Sequence, residues 1–570
     1  MASKTLPRYA DPLYQTAHDE AFSKPLFANI ETVLPPDVRP EDFALALELI
    51  IEALGKDAVF TGNDLKDYVD PYEIPESGRE RSVPSAAVCP SSVPDIQALL
   101  KIVNEYKIPV WTFSRGKNLG YGGPAPAVPG CIALDLHRMN KILEVNDKFG
   151  YAVVEPGVTF GDLYEYCAKN KLKVWPSTAS LGWGSVIGNA LDRGLGFIPT
   201  GVHHENIAGM EVVLANGDVV RTGQFAMSNS PSAHITKMTF GPTIDGLFLQ
   251  SNLGIVTKMG INLTPQPQAY MACSFDVPEF EHIEIIVDVF GELRRNGTLP
   301  YMVYVFYIAE WATMFGKHSE WWKGDGPIPD WRLKEMQDEL DTGIWAVKFG
   351  LYGPKDVIQA QFNEVQKVVS KKCPTGRLRQ TLFAAEDGNL LDAATVSPLY
   401  GGVRVGIPSM WNIPMVNYNN LRDDSVGAHG AYSPIVPLDG KTVLEWARTA
   451  KAISAEQGFD FLCDFFMHDK YAIFVTMLCF DKTSPEQRTG VDKVFHRLFE
   501  EGSKRGFAKY RAHINHMDLN ADLFDFNNHA YRRFVETLKA SLDPNGILSP
   551  GKMGIWPERL KWVRKQLNSD

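Results

Sequence analysis

Residues 114–125 read Ser114-Arg-Gly-Lys-Asn-Leu-Gly-Tyr-Gly-Gly-Pro-Ala, and they directly follow the apolar run Val110–Phe113, which predicts a strand. Four glycines within eight positions allow backbone N–H groups to approach an anion closely, and Arg115 and Lys117 add positive charge. The residues by themselves are compatible with two interpretations, a loop that binds pyrophosphate and a structural turn.

A formal match to the nicotinamide dinucleotide fingerprint lies inside this segment, as Gly120-x-Gly122-x-x-Ala125. That fingerprint requires a helix immediately after it. Prolines at positions 124, 126 and 129 forbid a helix there. We therefore exclude a nicotinamide-type Rossmann site and retain a different kind of phosphate-binding loop.

The segments around this loop alternate between strands and helices. Strands are predicted at Ala86–Cys89, Val110–Phe113, Ile132–Leu136 and Ala152–Glu155, and helices at Val93–Tyr106 and Phe160–Asn170. This alternation predicts an α/β or α+β domain in the first half of the chain.

The character of the sequence changes near Thr264-Pro-Gln-Pro-Gln, which has the composition of a domain crossing. Strands at Met302–Ile308 and Ile473–Cys479 and a helix at Val443–Gln457 are predicted beyond it. A chain of 570 residues is too long for one ordinary core. We predict a cofactor domain over 1–268, a cap or substrate domain over 269–500 and a return to the cofactor domain over 501–570.

Composition and charge limit the class of protein. Hydrophobic residues make up 45% and charged residues 22%, which is typical of a globular protein. The net charge of −11 and the lack of a dense basic run argue against nucleic acid as a partner. No segment has the apolar length of a membrane span, and Met1–Glu20 lacks the apolar core of a secretion signal.

The cysteines and the last residues bear on location. The seven cysteines are scattered and odd in number, which suits reduced thiols. The C-terminal Leu567-Asn-Ser-Asp is not a peroxisomal signal of the Ser-Lys-Leu type. We therefore expect a cytoplasmic protein.

Three other segments contain candidate site residues. Small residues in Leu181-Gly-Trp-Gly-Ser-Val-Ile-Gly-Asn-Ala permit close approach by a flat ligand or by another part of the backbone. In Gly427-Ala-His, His429 is either a structural or a catalytic histidine. His513-x-x-His516 followed by Asp518 lacks a further ligand at a characteristic spacing, so we predict no metal site.

Taken together, motifs from about residue 85 to 557 resemble those of the vanillyl-alcohol oxidase and p-cresol methylhydroxylase family. The matching segments are residues 114–123, Glu155-Pro-Gly-Val-Thr, Gly184-Ser-Val-Ile-Gly-Asn-Ala, Gly209-Met-Glu-Val-Val-Leu-Ala-Asn-Gly, Gly241-Pro-Thr-Ile-Asp-Gly-Leu-Phe, Gln250-Ser-Asn-Leu-Gly-Ile-Val-Thr-Lys, Gly427-Ala-His, Lys509-Tyr-Arg-Ala-His and Asp543-Pro-Asn-Gly-Ile-Leu-Ser-Pro-Gly-Lys. They cover nearly the whole chain, and several are too long to be coincidental.

The resemblance implies an α+β fold, with an FAD-binding domain made of two subdomains and an α+β cap domain that places the substrate against the flavin. It implies that FAD is covalently bound, through a bond between His429 and the 8α-methyl group of the flavin. The other residues expected to bind FAD are Ser114, Arg115, Gly116, Lys117, Asn118, Leu119, Gly120, Gly122, Leu181, Gly184, Ser185, Gly188, Asn189, Gly254, Ile255, Val256 and Lys552.

The resemblance also supplies a substrate site. Tyr121, Tyr510 and Arg511 match the three residues that hold the phenol oxygen in oxidases of this family. A phenol has a pKa near 10 and must lose its proton before a benzylic hydride can leave. Arginine stays protonated and stabilises the phenolate, while tyrosine hydroxyls donate hydrogen bonds to it.

Two positions depart from the vanillyl-alcohol oxidase pattern. Ser180 stands where that branch has an aspartate close to the flavin N5, and the chain has no histidine between His18 and His137 for the family's upstream histidine that assists flavin attachment. Asp464 stands where that branch has threonine, whereas the hydroxylase branch is acidic there and has serine at the other place. We therefore expect Ser180 near the flavin and Asp464 as the catalytic base.

The implied activity is an FAD-dependent oxidation of para-substituted phenols, such as 4-hydroxybenzyl alcohols and 4-alkyl or 4-allyl phenols. Hydride would pass from the benzylic carbon to flavin N5 and leave a quinone methide, and O₂ would reoxidise the flavin to give H₂O₂. A cytochrome as electron acceptor stays open, and we expect a homodimer or larger homo-oligomer. The alternatives are a 2-hydroxy-acid or sugar oxidoreductase on the same flavin fold and a flavin-binding protein without catalysis.

Overall fold

The structure of the protein, a computed structural model, describes residues 30–74, 82–386, 388–410 and 413–568. The predicted N-terminal domain begins at residue 1, so its first 29 residues, which include Met1–Glu20, lie outside the described residues. Among the described helices, none is long and apolar enough to cross a membrane.

The strand that precedes the glycine-rich loop belongs to a small sheet near the N-terminus of the described chain. Its four strands, in spatial order, are β1 (Val59–Phe60), β2 (Ala87–Val88), β4 (Ile132–Asp135) and β3 (Val110–Phe113). Strands β2, β4 and β3 are parallel, and β1 is antiparallel to β2. Helix α1 (Pro40–Leu54) packs against α2 (Val93–Glu105), which begins where the Ser92 side chain accepts a hydrogen bond from the Asp95 backbone N–H.

The second sheet is antiparallel and has five strands. In spatial order they are β5 (Ile142–Asn146), β6 (Tyr151–Val154), β10 (Ile255–Asn262), β8 (Ile207–Val213) and β9 (Val219–Arg221). Helix α3 (Phe160–Lys169) begins with a reciprocal cap between Thr159 and Asp162, and α4 (Val186–Leu191) follows it. Strands β7 (Val174–Trp175) and β11 (Thr264–Pro265) form a separate antiparallel pair.

The third sheet is antiparallel, has eight strands and carries the largest apolar core. Its strands are β12 (Ala269–Val277), β13 (Val303–Tyr307), β14 (Trp345–Gly353), β15 (Arg377–Ala384), β16 (Gly427–Tyr432), β17 (Ile435–Pro437), β18 (Leu462–Met467) and β19 (Tyr471–Asp481). The spatial order is β15-β12-β14-β13-β18-β19-β16, with β17 also paired to β19. The helices of this region are α5 (Ile283–Arg295), α6 (Ile308–Thr313), α7 (His318–Trp321), α8 (Asp330–Leu340), α9 (Lys355–Lys372), α10 (Gly440–Glu456) and α11 (Pro485–Lys504).

The last segment returns to the first sheet. Helices α12 (Met517–Asp522), α13 (Phe526–Leu542) and α14 (Lys561–Leu567) belong to it. Leu548 forms a parallel bridge with Val110 on β3, and the Ser549 backbone N–H donates to the Val110 carbonyl at 2.7 Å. Residues that are more than 400 positions apart in sequence therefore complete one unit of structure.

The α+β fold is confirmed, and the six elements predicted around the glycine-rich loop are confirmed to within one residue at each end. The domain boundaries stay predictions. The boundary at 268/269 falls between β11 and β12, where the chain enters the third sheet, but the boundary at 500/501 falls inside α11. We propose that the chain leaves the cap domain after Lys504, because a helix is a single rigid unit.

A buried ion pair stabilises the last segment against the rest of the domain. The Nζ of Lys539, on α13, lies 2.8 Å from Asp543 Oδ2 and donates to the carbonyls of Asn252 and Leu548 at 2.8 and 2.7 Å. Both charged side chains are fully buried. Burial lowers the pKa of Lys539, and Asp543 opposes that shift.

We predict that Lys539→Met destabilises the C-terminal segment by about 3–5 kcal/mol, because it leaves Asp543 buried without its cation. The midpoint of urea unfolding should fall accordingly. Lys504→Met is the control, since Lys504 is 57% exposed and its surface pairs with glutamates should contribute less than about 1 kcal/mol. Equal midpoints for the two variants would contradict the prediction.

Candidate active site

A long cleft lies where the glycine-rich loop, the start of α4, the start of β10 and the C-terminal segment meet. Thirteen of the residues predicted to bind FAD line it, namely Ser114, Arg115, Gly116, Lys117, Asn118, Gly184, Ser185, Gly188, Asn189, Gly254, Ile255, Val256 and Lys552.

Small residues shape the wall of this cleft. A Cβ atom added to Gly188 would lie 2.2 Å from Ser114 Oγ, so only glycine lets α4 approach the loop. Gly116 has φ of +63°, a left-handed conformation that glycine adopts at little cost. Arg115 Nε is buried and has no hydrogen-bond partner among the residues that the structure describes. The wall therefore combines close backbone approach with an unsatisfied cationic donor, and both features suit an anionic ligand.

The other five predicted residues do not line the cleft. Leu119 belongs to the apolar core of the third sheet, and Leu181 packs against it. A Cβ atom on Gly122 would lie 2.8 Å from Ile514, and one on Gly120 would lie 3.0 Å from the His429 carbonyl. Tyr121 and Gly123 still line the cleft, so the loop alternates there between residues that line the cleft and residues that pack against neighbouring segments.

His429 lies on β16 and is partly buried. Its ring meets the edge of Tyr72 with 5.1 Å between centroids, and its Nε2 faces Gly120. Burial lowers the pKa of His429 to about 4, with a small opposing effect from Asp70. Its Nδ1 is enclosed and unpartnered within the described part of the chain. A neutral imidazole with an unused nitrogen fits a covalent or hydrogen-bonded partner such as FAD.

His429 and Asp464 lie on the same face of the eight-stranded sheet. His429 is opposite Cys479 in the ladder of β16 and β19, and Asp464 is opposite Val475 in the ladder of β18 and β19. Cys479 and Val475 are four residues apart on β19, and residues an even number apart point to one face. Their separation along the strand is roughly 13 Å. A planar ligand below this face would extend from His429 toward Asp464.

The three residues predicted to hold the phenol oxygen are brought together. The guanidinium carbon of Arg511 lies 5.5 Å from the ring centroids of both Tyr121 and Tyr510. Tyr121 interacts electrostatically with both Tyr510 and Arg511. Arg511 Nε lies 3.2 Å from Asp192 Oδ2. Tyr121 and Arg511 line the cleft, so the group stands at its edge.

The charges of this group are set by burial and by Asp192. Burial opposes the charge of Arg511, but Asp192 and the two tyrosines outweigh it and raise the pKa. Burial also raises the pKa of Tyr121 well above its usual value. The site therefore offers a permanent cation and a protonated hydroxyl to an oxyanion.

Asp464 and Ser180 occupy different surroundings. Burial raises the pKa of Asp464 to about 6, while hydrogen bonds from Glu310 and Tyr304 oppose the shift. Ser180 lies partly buried in the loop between β7 and α4, and the next residues contact another loop, since the Gly182 N–H donates to the Ser409 carbonyl. Asp464 thus has the perturbed carboxyl that acid–base chemistry needs.

Sequence reasoning missed Asp192, Tyr304 and Glu310. Asp192 follows the predicted segment 181–190 by two residues, so a wider window would have included it. Glu310 and Tyr304 show no local signal, because their relation to Asp464 exists only through the pairing of β13 with β18.

His513 and Asp518, for which the sequence predicts no metal site, have other partners. His513 Nε2 lies 3.1 Å from Asp70 Oδ2, and Asp518 accepts hydrogen bonds from Trp556 and Arg564. Elsewhere among the described residues, Cys89, Asp135 and His137 bring three types of metal ligand within 4.8 Å of one another. Burial raises the pKa of the Cys89 thiol to about 12, so this cluster holds a protonated thiol rather than a prepared thiolate.

Comparisons with known proteins agree with this geometry. Residues 84–223 match the family described as FAD binding domain, and residues 424–553 match FAD linked oxidases, C-terminal domain. The 4-cresol dehydrogenase (hydroxylating) flavoprotein subunit of Pseudomonas putida is 33% identical over 527 residues, which are 92% of this chain and 98% of that protein.

Two solved structures are similar along nearly their whole length. The 4-ethylphenol oxidase from Gulosibacter chungangensis, in complex with isoeugenol, has a TM-score of 0.86 and 33% identity, covering 93% of this chain and 100% of that chain. The p-cresol methylhydroxylase with substrate bound has a TM-score of 0.85 and 33% identity, covering 92% and 99%. The protein is an FAD-linked oxidoreductase, and the chain belongs to the vanillyl-alcohol oxidase and p-cresol methylhydroxylase family.

Proposed function

We propose that the protein oxidises para-substituted phenols at the benzylic carbon. The observation that carries this proposal is the assembly of Tyr121, Tyr510 and Arg511 at the edge of the cleft, with Arg511 fixed by Asp192. Substrates would be 4-hydroxybenzyl alcohols and 4-alkyl or 4-allyl phenols. The names of the relatives, a 4-cresol dehydrogenase and a 4-ethylphenol oxidase, support this class.

The three residues would act by stabilising the phenolate. A cation and two hydroxyl donors favour the ionised oxygen, and buried surroundings strengthen each interaction. Lowering the pKa of a phenol by three units, from its usual value near 10, requires about 4 kcal/mol of differential stabilisation. The negative charge on the oxygen then drives electrons through the ring as hydride leaves the benzylic carbon.

FAD, held by the cleft and bonded to His429, would accept that hydride at N5. The unpartnered Nδ1 of His429 supports a bond to the cofactor, and the unpartnered Nε of Arg115 supports an anion in the loop, both judged over the described residues. Asp464, on the same face of the sheet as His429, would remove a proton from the water that attacks the quinone methide. Where no water adds, the quinone methide gives an aldehyde or an alkene.

We further propose dioxygen as the electron acceptor, with H₂O₂ as the product. The relatives divide on this point, since one is named a dehydrogenase and another an oxidase. The cytoplasm is the proposed location, because all seven cysteines are buried, unpaired thiols. Exposed aromatic side chains on α13, at Phe526, Tyr531 and Phe534, support a homodimer or larger homo-oligomer.

A first experiment tests the covalent bond. Acid-precipitated protein should stay yellow and should fluoresce on a denaturing gel, because the flavin cannot be washed from a covalent linkage. His429→Ala should release its FAD on precipitation, whereas His496→Ala, at a side chain 44% exposed, should retain it. Flavin found entirely in the supernatant of the unmutated protein would exclude the bond.

A second experiment tests the phenolate site. Tyr510→Phe and Arg511→Ala should each lower kcat/KM by a factor equivalent to roughly 2–4 kcal/mol of transition-state stabilisation. This is the scale for removing a charge-stabilising donor from an enclosed site. Tyr531→Phe is the matched control, because Tyr531 is 67% exposed, and it should leave kcat/KM unchanged. Methylating the phenol oxygen of the substrate should abolish turnover, and equal reaction of the methylated compound would refute the mechanism.

A third experiment tests the base. General-base assistance is worth about 10²–10⁴-fold, and a base on one face of the quinone methide should direct water to that face. Conversion of 4-ethylphenol to its alcohol should therefore favour one enantiomer. The double variant Asp464→Thr, Ser180→Asp should reverse this preference, because it moves the carboxylate to the other side. An unchanged enantiomeric ratio in an active double variant would assign Asp464 a structural role.

A further inference from the structure

A second carboxyl group lies beside Asp464. Glu310 is on α6, which follows β13 directly, and its side chain is only 2% exposed. Helix α6 packs against β18, which carries Asp464, and the two carboxyl groups interact there. Each residue keeps one enclosed oxygen, Glu310 Oε2 and Asp464 Oδ1, without a partner in the described ranges. No described cation forms an ion pair with either carboxyl group.

Two carboxyl groups in this arrangement must share a proton. An ionised carboxylate only accepts hydrogen bonds, so the two groups can attract each other only when one of them holds a proton. Two negative charges in one enclosed site also repel each other strongly, which keeps the pair from losing both protons. The pair therefore carries one negative charge and one proton at neutral pH.

The surroundings decide which residue holds the proton. Tyr304 interacts with Asp464 and stabilises its charged form. Glu310 is more deeply buried, and burial together with Asp464 raises its pKa well above the usual value. Protonated Glu310 can then donate to the Asp464 carboxylate.

The other titratable groups around the pair do not disturb this assignment. Burial raises the pKa values of Cys463 on β18 and Cys479 on β19, and both thiols stay neutral. Lys348 on β14 is opposite Tyr304, and burial with repulsion from Arg404 lowers its pKa to about 7. Tyr304, on β13, lies between Lys348 on β14 and Asp464 on β18.

We propose that Glu310 is a positioning residue which keeps its proton at neutral pH and donates it in a hydrogen bond to the Asp464 carboxylate. This proposal rests on the function proposed for Asp464 and explains how that carboxylate stays ionised although it is enclosed. When water attacks, its oxygen bonds to the benzylic carbon, the electron pair of the exocyclic double bond moves to the phenolate oxygen, and one proton of water passes to Asp464.

The test compares two substitutions of Glu310. Glu310→Gln keeps a donor toward Asp464, whereas Glu310→Leu removes it. With 4-ethylphenol as substrate, the acid limb of the pH profile of kcat should stay within about half a pH unit in the Gln variant. It should move upward by about one pH unit or more in the Leu variant, because Asp464 then protonates at a higher pH. Identical shifts in the two variants would overturn the proposal.

A measurement without turnover separates this proposal from the proposed function. Infrared difference spectra of the holoenzyme at pH 7, unmutated minus Glu310→Gln, should show the carbonyl band of a protonated carboxylic acid. The same band should remain in Asp464→Asn, since Glu310 keeps its proton there. Absence of the band from the difference spectrum overturns the proposal, even if every phenol is oxidised as expected. The band supports it even if no phenol reacts, and this arm does not need the Leu variant to fold.

Discussion

The carboxylate of Asp192 joins three segments at the edge of the cleft, where Tyr121, Tyr510 and Arg511 meet. It accepts from Asn118 of the glycine-rich loop at 3.1 Å, lies 3.2 Å from Arg511 of the C-terminal segment, and is itself just beyond α4. Gln250 also reaches Asp192, at 3.4 Å, and donates to the Tyr510 carbonyl at 2.7 Å. Asp192 thus holds the glycine-rich loop and the C-terminal segment together at the edge of the cleft.

The Asp192 carboxylate also offsets the positive charge of two cations that line the cleft. Arg511 and Lys552 both line the cleft, where Arg511 is buried and Lys552 is partly buried. Burial lowers the pKa of Lys552, and Asp192 opposes that shift. A buried cation without a nearby anion is strongly destabilising, so Asp192 stabilises the placement of Arg511 and Lys552 in the wall of the cleft.

Local patterns explain how much of the fold could be predicted from sequence. Helix α2 has Ile96, Leu99, Leu100 and Val103 at helical spacing, and all four are buried. The return of Leu548 to β3 has no such pattern, because a bridge between residues so far apart depends on the whole fold. Likewise, the proposed site residues Tyr121 and Arg511 were identified through the family resemblance. Glu310 was not identified, because the spacing of residues in the sequence does not reveal which side chains meet in the fold.

The return of the chain to β3 has a consequence for biosynthesis. Val110 is synthesised more than 400 residues before its partner Leu548 and the cleft residue Lys552. The third sheet, whose strands all lie between residues 269 and 481, is contiguous and can form while synthesis continues. Completion of the cofactor cleft must therefore follow synthesis of the third sheet, and a chain that stopped before residue 548 would have all eight described strands of that sheet but an incomplete cleft.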